Sequence, residues 1–81
     1  MPVQVGPRIQ IADLIKRAEE QGCEVRKSKF QLATPAGLQT IRFIFNPANR
    51  GRFDITDYAD DEYMLGSEIE AARRRLGIAL P

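Results

Sequence analysis

Apolar residues near the start of the chain recur every three or four positions, which is the spacing of one helix face. This apolar stripe consists of Ile11, Leu14, Ile15 and Ala18. Pro7 suits the first turn of a helix, and Gly22 suits its end. The pattern predicts a helix from about Arg8 to Gln21.

The spacing then changes to alternation, which is typical of half-buried strands. Cys23 and Val25 form one alternating pair, and Phe30 and Leu32 form another. We interpret residues 26–29 as the reversal between two strands.

A third strand is predicted after a turn of sequence Thr-Pro-Ala-Gly at residues 34–37, where Pro and Gly suit the corners. The strand runs from about Leu38 to Phe45 and ends at Asn46-Pro47. Because neighbouring side chains alternate, one face carries three large apolar residues, and we expect that face to pack against the helices. These residues are Ile41, Phe43 and Phe45.

A second helix is predicted near the C-terminus, where Ser67 and Glu70 have the spacing of a capping box and Gly77 suits the end. Its apolar stripe consists of Leu65, Ile69, Ala72 and Leu76. The segment before it, residues 48–66, is long for a connection, and we expect a short helix around Asp60–Met64. The order helix, three antiparallel strands, helix predicts an α+β fold with both helices on one face of the sheet.

Length and composition favour one small domain that binds at its surface. The chain has 81 residues, 43% of them apolar and 28% charged, which suits a single folded domain, residues 1–81. The lone Cys23 cannot form an internal disulfide, and neither a signal peptide nor a membrane-length apolar run is visible, so we expect a cytoplasmic protein. There is no histidine, which excludes imidazole chemistry. A chain this short leaves little room for a deep pocket, and an enzyme is therefore not expected.

Charge is unevenly distributed although the formal net charge is only +1. Residues 1–53 hold nine Lys/Arg and four acids, whereas residues 54–70 hold seven acids and no base. The basic residues on and beside the strands are candidates for contacts with phosphates, with solvated strand edges as the alternative. They are Arg26, Lys27, Lys29, Arg42, Arg50 and Arg52.

Several segments resemble HicA-like proteins, which are small messenger-RNA-cleaving toxins of toxin–antitoxin pairs with shorter actinobacterial and phage relatives. The similar segments are residues 14–25, 30–37, 46–50 and 71–78, and they include the Thr-Pro-x-Gly turn and an arginine-rich final helix. The resemblance implies a fold like that of double-stranded-RNA-binding domains and a nucleic-acid ligand, RNA more than DNA. The family's glycine-x-histidine motif, which carries the catalytic histidine, is missing between the first two strands. We therefore expect a catalytically silent domain, and no catalytic residue is carried over.

An acidic insert at about residues 51–66 departs from the family pattern and supports a second hypothesis. In this hypothesis the domain is a protein-interaction module, for example of a phage, that binds a host protein through the insert and the exposed sheet, as a monomer or homodimer. The candidate contact residues, which alternatively pack onto the sheet, are Tyr58, Tyr63 and Met64. The acids lack the spacing of a calcium loop, so no metal or cofactor is expected. An active ribonuclease ranks third, because without histidine nothing marks a matched acid and base.

Overall fold

The computed structural model describes residues 8–81 and confirms the α+β layout. Its elements are β1 (Ile9–Gln10), α1 (Ile11–Glu20), β2 (Glu24–Thr34), β3 (Gly37–Asn46), β4 (Gly51–Asp54), β5 (Tyr63–Met64) and α2 (Gly66–Leu76). Strands β2, β3 and β4 form an antiparallel sheet in that order, and β1 pairs with β5 in a separate two-stranded ribbon.

Both predicted helices are present, with differences at their starts. Helix α1 begins at Ile11 rather than Arg8, and the expectation for Pro7 lies outside the described residues. Helix α2 has no capping box, because Leu65 is the cap residue and no side chain bonds there. Gly22 and Gly77 follow the two helices with positive φ angles of 94° and 62°, as C-terminal glycines do. Within residues 8–81, neither helix is long and apolar enough to cross a membrane.

The first two predicted strands are one continuous strand, β2. The segment 26–29 was interpreted as a reversal, but it contains no Gly, Pro, Asn or Asp to make a tight turn. The chain instead passes through an irregularity in which residues 28–30 lie opposite Ile41. The Oγ atom of Ser28 accepts a hydrogen bond from the Phe30 N–H at 3.1 Å within it. The third strand of the sheet is β4, which lies in the segment interpreted as the acidic insert.

The core lies on the face of the sheet that the prediction assigned to solvent. Val25, Ile44 and Phe53 lie directly opposite one another on β2, β3 and β4, and they pack in one cluster with the buried residues of both helices. Both helices therefore cover this face, as expected. Ile44 is fully buried, whereas the predicted core residues Ile41, Phe43 and Phe45 are only half-buried on the opposite face.

A buried amide explains why the core face of β3 looks polar in sequence. Asn46 shares that face with Ile44, and its Nδ2 donates to the carbonyl oxygen of Leu76 at 2.6 Å. Its Oδ1 accepts from the N–H of Ala48 at 3.0 Å. Both polar atoms of the side chain are thereby satisfied, so burial costs little.

The acidic insert is an integral part of the fold. Its Ile55 and Met64 are fully buried in the core cluster. The expected short helix around residues 60–64 is absent, since this stretch is turn followed by β5. Insert carbonyls also accept from the first N–H groups of α1: Ile11 donates to Glu62 at 2.9 Å, and Ala12 donates to Asp60 at 3.0 Å.

Candidate nucleic-acid interface

No helix of residues 8–81 covers the second face of the β2–β3–β4 sheet, which we call the open face. The register defines its membership, because residues directly opposite each other on neighbouring strands share a face. From β3 it includes Gln39, Ile41, Phe43 and Phe45; from β2, Glu24, Arg26 and Leu32; and from β4, Arg52 and Asp54.

Three cations of the sheet lie over aromatic rings, and two of these pairs are on the open face. The Arg26 guanidinium carbon is 4.1 Å from the ring centroid of Phe45. The Arg52 guanidinium carbon is 5.4 Å from the ring centroid of Phe43. At the far end, the Lys29 Nζ is 5.7 Å from the ring centroid of Phe30. All three separations lie within the range of a cation–π attraction.

Ion pairing fixes one of these cations in place. Arg26 Nη2 lies 2.6 Å from Glu24 Oε1, and both side chains are on the open face. The guanidinium thus contacts both the Glu24 carboxylate and the Phe45 ring. A guanidinium is planar and can stack on a base while its N–H groups donate at the edge.

A shallow cleft of about 280 Å³ lies beside Phe43. Its lining is Ser28, Ile41, Phe43, Arg52 and Asp54. Asp54 Oδ1 accepts from both the N–H and the hydroxyl of Thr56, at 2.9 and 2.6 Å, which orders that carboxylate. The cleft therefore combines an apolar floor with hydroxyl, guanidinium and carboxylate groups at its rim, an arrangement suited to a flat, polar-edged ring such as a nucleobase.

The structure brings together only part of the predicted basic set. Arg26 and Arg52 lie on the open face, and Lys29 lies over Phe30 in the irregular part of β2. Arg50 lies in the turn between β3 and β4, with a φ of 59°. Lys27 lies opposite Arg42 in the sheet and shares its face, the one on the helix side.

The fold already engages Arg42 on that helix-side face. Its Nη1 lies 2.8 Å from Asp60 Oδ1, and its Nη2 donates to the carbonyl oxygen of Tyr58 at 2.5 Å. Its backbone N–H donates to Thr56 Oγ1 at 3.0 Å. These contacts join the insert to β3, so the Arg42 guanidinium already has its bonding partners within the fold.

The candidate protein-binding residues of the insert do not form one surface. Met64 is fully buried, and Tyr58 is half-buried against the core. Tyr63 is half-exposed, with the Arg8 guanidinium carbon 5.0 Å from its ring centroid. The packing role considered for these residues therefore fits Met64 and Tyr58.

The acidic side chains and the lone thiol of residues 8–81 are the remaining candidates for metal binding and for nucleophilic chemistry. No cluster of three or more potential metal ligands occurs among them. Cys23 is buried where α1 meets β2, and loss of hydration raises the pKa of its thiol, which makes it a poor nucleophile. Comparisons with protein-family models, curated proteins and solved structures found no match to this chain. The resemblance to HicA-like proteins stays a prediction.

Proposed function

We propose that this domain binds single-stranded RNA across the open face of its sheet. The observation that carries the proposal is the row of cation–aromatic pairs Arg26–Phe45, Arg52–Phe43 and Lys29–Phe30. Unpaired bases stack on aromatic rings and on guanidinium planes, while adjacent cations attract the phosphates. The two arginine pairs supply both kinds of contact on the open face.

The geometry favours a single strand over a duplex. Phe43 and Phe45 are two residues apart on β3, which separates them by about 7 Å along the strand. Successive bases of an extended chain can occupy two such sites side by side. In a duplex the bases are stacked on each other and paired, so their faces are not accessible to a flat sheet. The preference for RNA over DNA rests on the resemblance to RNA-cleaving toxins.

Stacking is expected to contribute more than phosphate neutralisation. Arg26 and Arg52 share the open face with two carboxylates, Glu24 and Asp54, and Lys29 adds one positive charge in the neighbouring irregular part of β2, so the local charge is only about +1. With two or three phosphates contacted, the slope of log K against log salt is about −1.4 to −2.1 for a single strand. We expect measurable binding at physiological salt with this shallow slope.

The test measures fluorescence anisotropy of short labelled oligonucleotides with Arg52 variants. Arg52→Lys keeps the charge but removes the planar group, and Arg52→Ala removes both. Loss of one stacked base weakens binding by about 1–3 kcal/mol, so we expect roughly a 5- to 150-fold increase in Kd for Arg52→Ala. We expect Arg52→Lys to recover only a minor part of that loss, because the stacking surface is gone.

Arg74→Ala is the matched control, because Arg74 is an exposed arginine on α2, in the helix layer on the other side of the sheet. It removes the same charge and is expected to leave Kd unchanged within about twofold. Single-stranded DNA of the same sequence and a duplex RNA complete the series. The proposal fails if none of the oligonucleotides binds, or if Arg74→Ala weakens binding as much as Arg52→Ala.

A further inference from the structure

The two carboxylates of the open face are engaged differently. Glu24 and Asp54 each lie two residues from an arginine of the same strand and face, Arg26 on β2 and Arg52 on β4. The first two side chains form the ion pair of 2.6 Å described above. The Asp54 carboxylate instead accepts hydrogen bonds from Thr56. Asp54 is therefore the open-face carboxylate that has no cationic partner in the described part of the chain.

Thr56 orients the Asp54 carboxylate and leaves one of its oxygens available. Both hydrogen bonds from Thr56, at 2.9 and 2.6 Å, end on Oδ1. An ionised carboxylate has about four lone-pair sites, two on each oxygen, so Oδ2 can still accept two hydrogen bonds. Asp54 lies directly opposite Phe43 in the sheet and at the rim of the cleft beside that ring. The cleft thus has a fixed acceptor at the β4 side of its rim.

The β2 side of the same cleft carries a hydrogen-bond donor. Ser28 lines the cleft together with Asp54, and β3 lies between their two strands. The Ser28 Oγ accepts from the Phe30 N–H, and within residues 8–81 its own proton has no acceptor, so the hydroxyl can donate to a ligand. A flat ring lying on the cleft floor therefore meets an acceptor along one edge and a donor along the other.

Guanine is the nucleobase whose edges match this arrangement. Its Watson–Crick edge carries two adjacent donors, N1–H and the N2 amino group, and its other edge carries the acceptors N7 and O6. Adenine and cytosine place a ring-nitrogen acceptor beside a single amino group, and uracil places its one N–H between two carbonyl groups. These three bases bring an acceptor up to the carboxylate, where the negative charges repel each other.

We propose that the cleft beside Phe43 selects a guanine base, whose N1–H and N2 amino group donate to Asp54 Oδ2 while N7 or O6 accepts from the Ser28 hydroxyl. This inference rests on the proposed RNA binding and adds a base preference to it. Stacking on aromatic rings tolerates any base, so the preference comes from Asp54. A good pair of hydrogen bonds to a base edge discriminates by about 5- to 150-fold. Because Asp54 is exposed to water, we expect a value near the lower end, about tenfold.

The test uses labelled uridine oligonucleotides that differ in one central base, with Kd measured by fluorescence anisotropy. We expect a central guanosine to bind about tenfold more tightly than uridine, and adenosine and cytidine to stay within about twofold of uridine. Inosine keeps N1–H, O6 and N7 but lacks the N2 amino group. We therefore expect its Kd to lie between those of guanosine and uridine.

Asp54→Asn tests the carboxylate itself. The amide keeps an oxygen for Thr56 and places an N–H donor where Oδ2 stood, so the guanosine preference is expected to fall to about twofold or less. Asp57→Asn is the matched control, because Asp57 is an exposed acid outside the lining of this cleft. It makes the same change in charge and is expected to keep the tenfold preference.

The outcomes separate base preference from RNA binding. Equal Kd values for guanosine and uridine in the wild type overturn the preference while RNA binding stands. The preference is also overturned if it persists in Asp54→Asn, or if inosine binds as tightly as guanosine. If no oligonucleotide binds, the proposed function fails and the base preference fails with it.

Discussion

Two isoleucines on the same strand test which face of β3 is the core. Ile41 and Ile44 are three residues apart and therefore point to opposite faces. Ile44 is fully buried beneath the helices, whereas Ile41 is half-buried on the open face. Ile41→Ala and Ile44→Ala thus make the same chemical change in two different environments.

The expected difference follows from burial. Ile44 packs between Val25 and Phe53 beneath both helices, so truncation to alanine loses the apolar transfer energy and leaves a cavity, at a cost of about 2–5 kcal/mol. The Ile41 side chain is only partly removed from water on folding and has no helix above it. Its truncation to alanine therefore costs about 1 kcal/mol or less. Against a total stability of about 5–15 kcal/mol, Ile44→Ala removes a large fraction of the free energy of unfolding.

Urea unfolding followed by far-ultraviolet circular dichroism measures the free energy of unfolding of each variant. The slope m, which is the dependence of that free energy on urea concentration, shows whether the unfolded state is unchanged. In thermal unfolding, each kcal/mol corresponds to about 4–8 °C in a domain of this size, so Ile44→Ala lowers Tm by at least about 8 °C. The assignment of the faces is wrong if Ile41→Ala destabilises the domain as much as Ile44→Ala.

Three further predictions concern close contacts within the core. Gly51→Ala is expected to destabilise β4 severely, because the added Cβ would overlap the Arg75 carbonyl oxygen; a wild-type Tm for this variant would contradict the close approach of β4 to α2. Asn46→Asp is expected to cost more than Asn46→Ala in urea unfolding, because a buried carboxylate then faces the Leu76 carbonyl oxygen with no proton to donate. Native Cys23 is expected to react with a thiol reagent only on unfolding. Because burial raises the pKa of its thiol above the ordinary value of 9.0, the thiol loses its proton at a lower pH in the unfolded state than in the folded state. The free energy of unfolding therefore falls as pH rises above about 9.

The helices were predictable because their signals are local and redundant. Ile11, Leu14 and Ala18 repeat the helical spacing along α1, and all three are buried. Gly22 and Gly77 mark both helix ends through their positive φ angles. Each of these signals depends on residues within one or two turns, so a single sequence is enough to read them.

The core face of β3 was not predictable from the strand itself. The alternating residues Ile41, Phe43 and Phe45 are the more apolar set, and the pattern indicates that they are buried. The opposite face is buried instead because Asn46 is satisfied by α2, and because cations from neighbouring strands cover the open aromatic rings. Both reasons are contacts between residues far apart in sequence.

The candidate site shows the same division between local and distant information. The cations Arg26, Lys29 and Arg52 were predicted from charge alone. Phe43 and Phe45, the aromatic partners of the two arginines, were assigned to the core, because Arg52 meets Phe43 only through the pairing of β4 with β3. Strand β4 has just four residues among charged neighbours, which is too short a pattern to distinguish from a loop.

Binding across the open face can be located by titrating the ¹⁵N-labelled protein with a short single-stranded RNA and following the amide signals residue by residue by NMR. We expect the signals of residues 28–32, 41–45 and 52–54 to shift together and saturate, while those of α1 and α2 stay in place. Shifts concentrated on the helices, around Lys16 and Arg17 or around Arg74, would place the ligand on the opposite side of the sheet and refute binding at the open face.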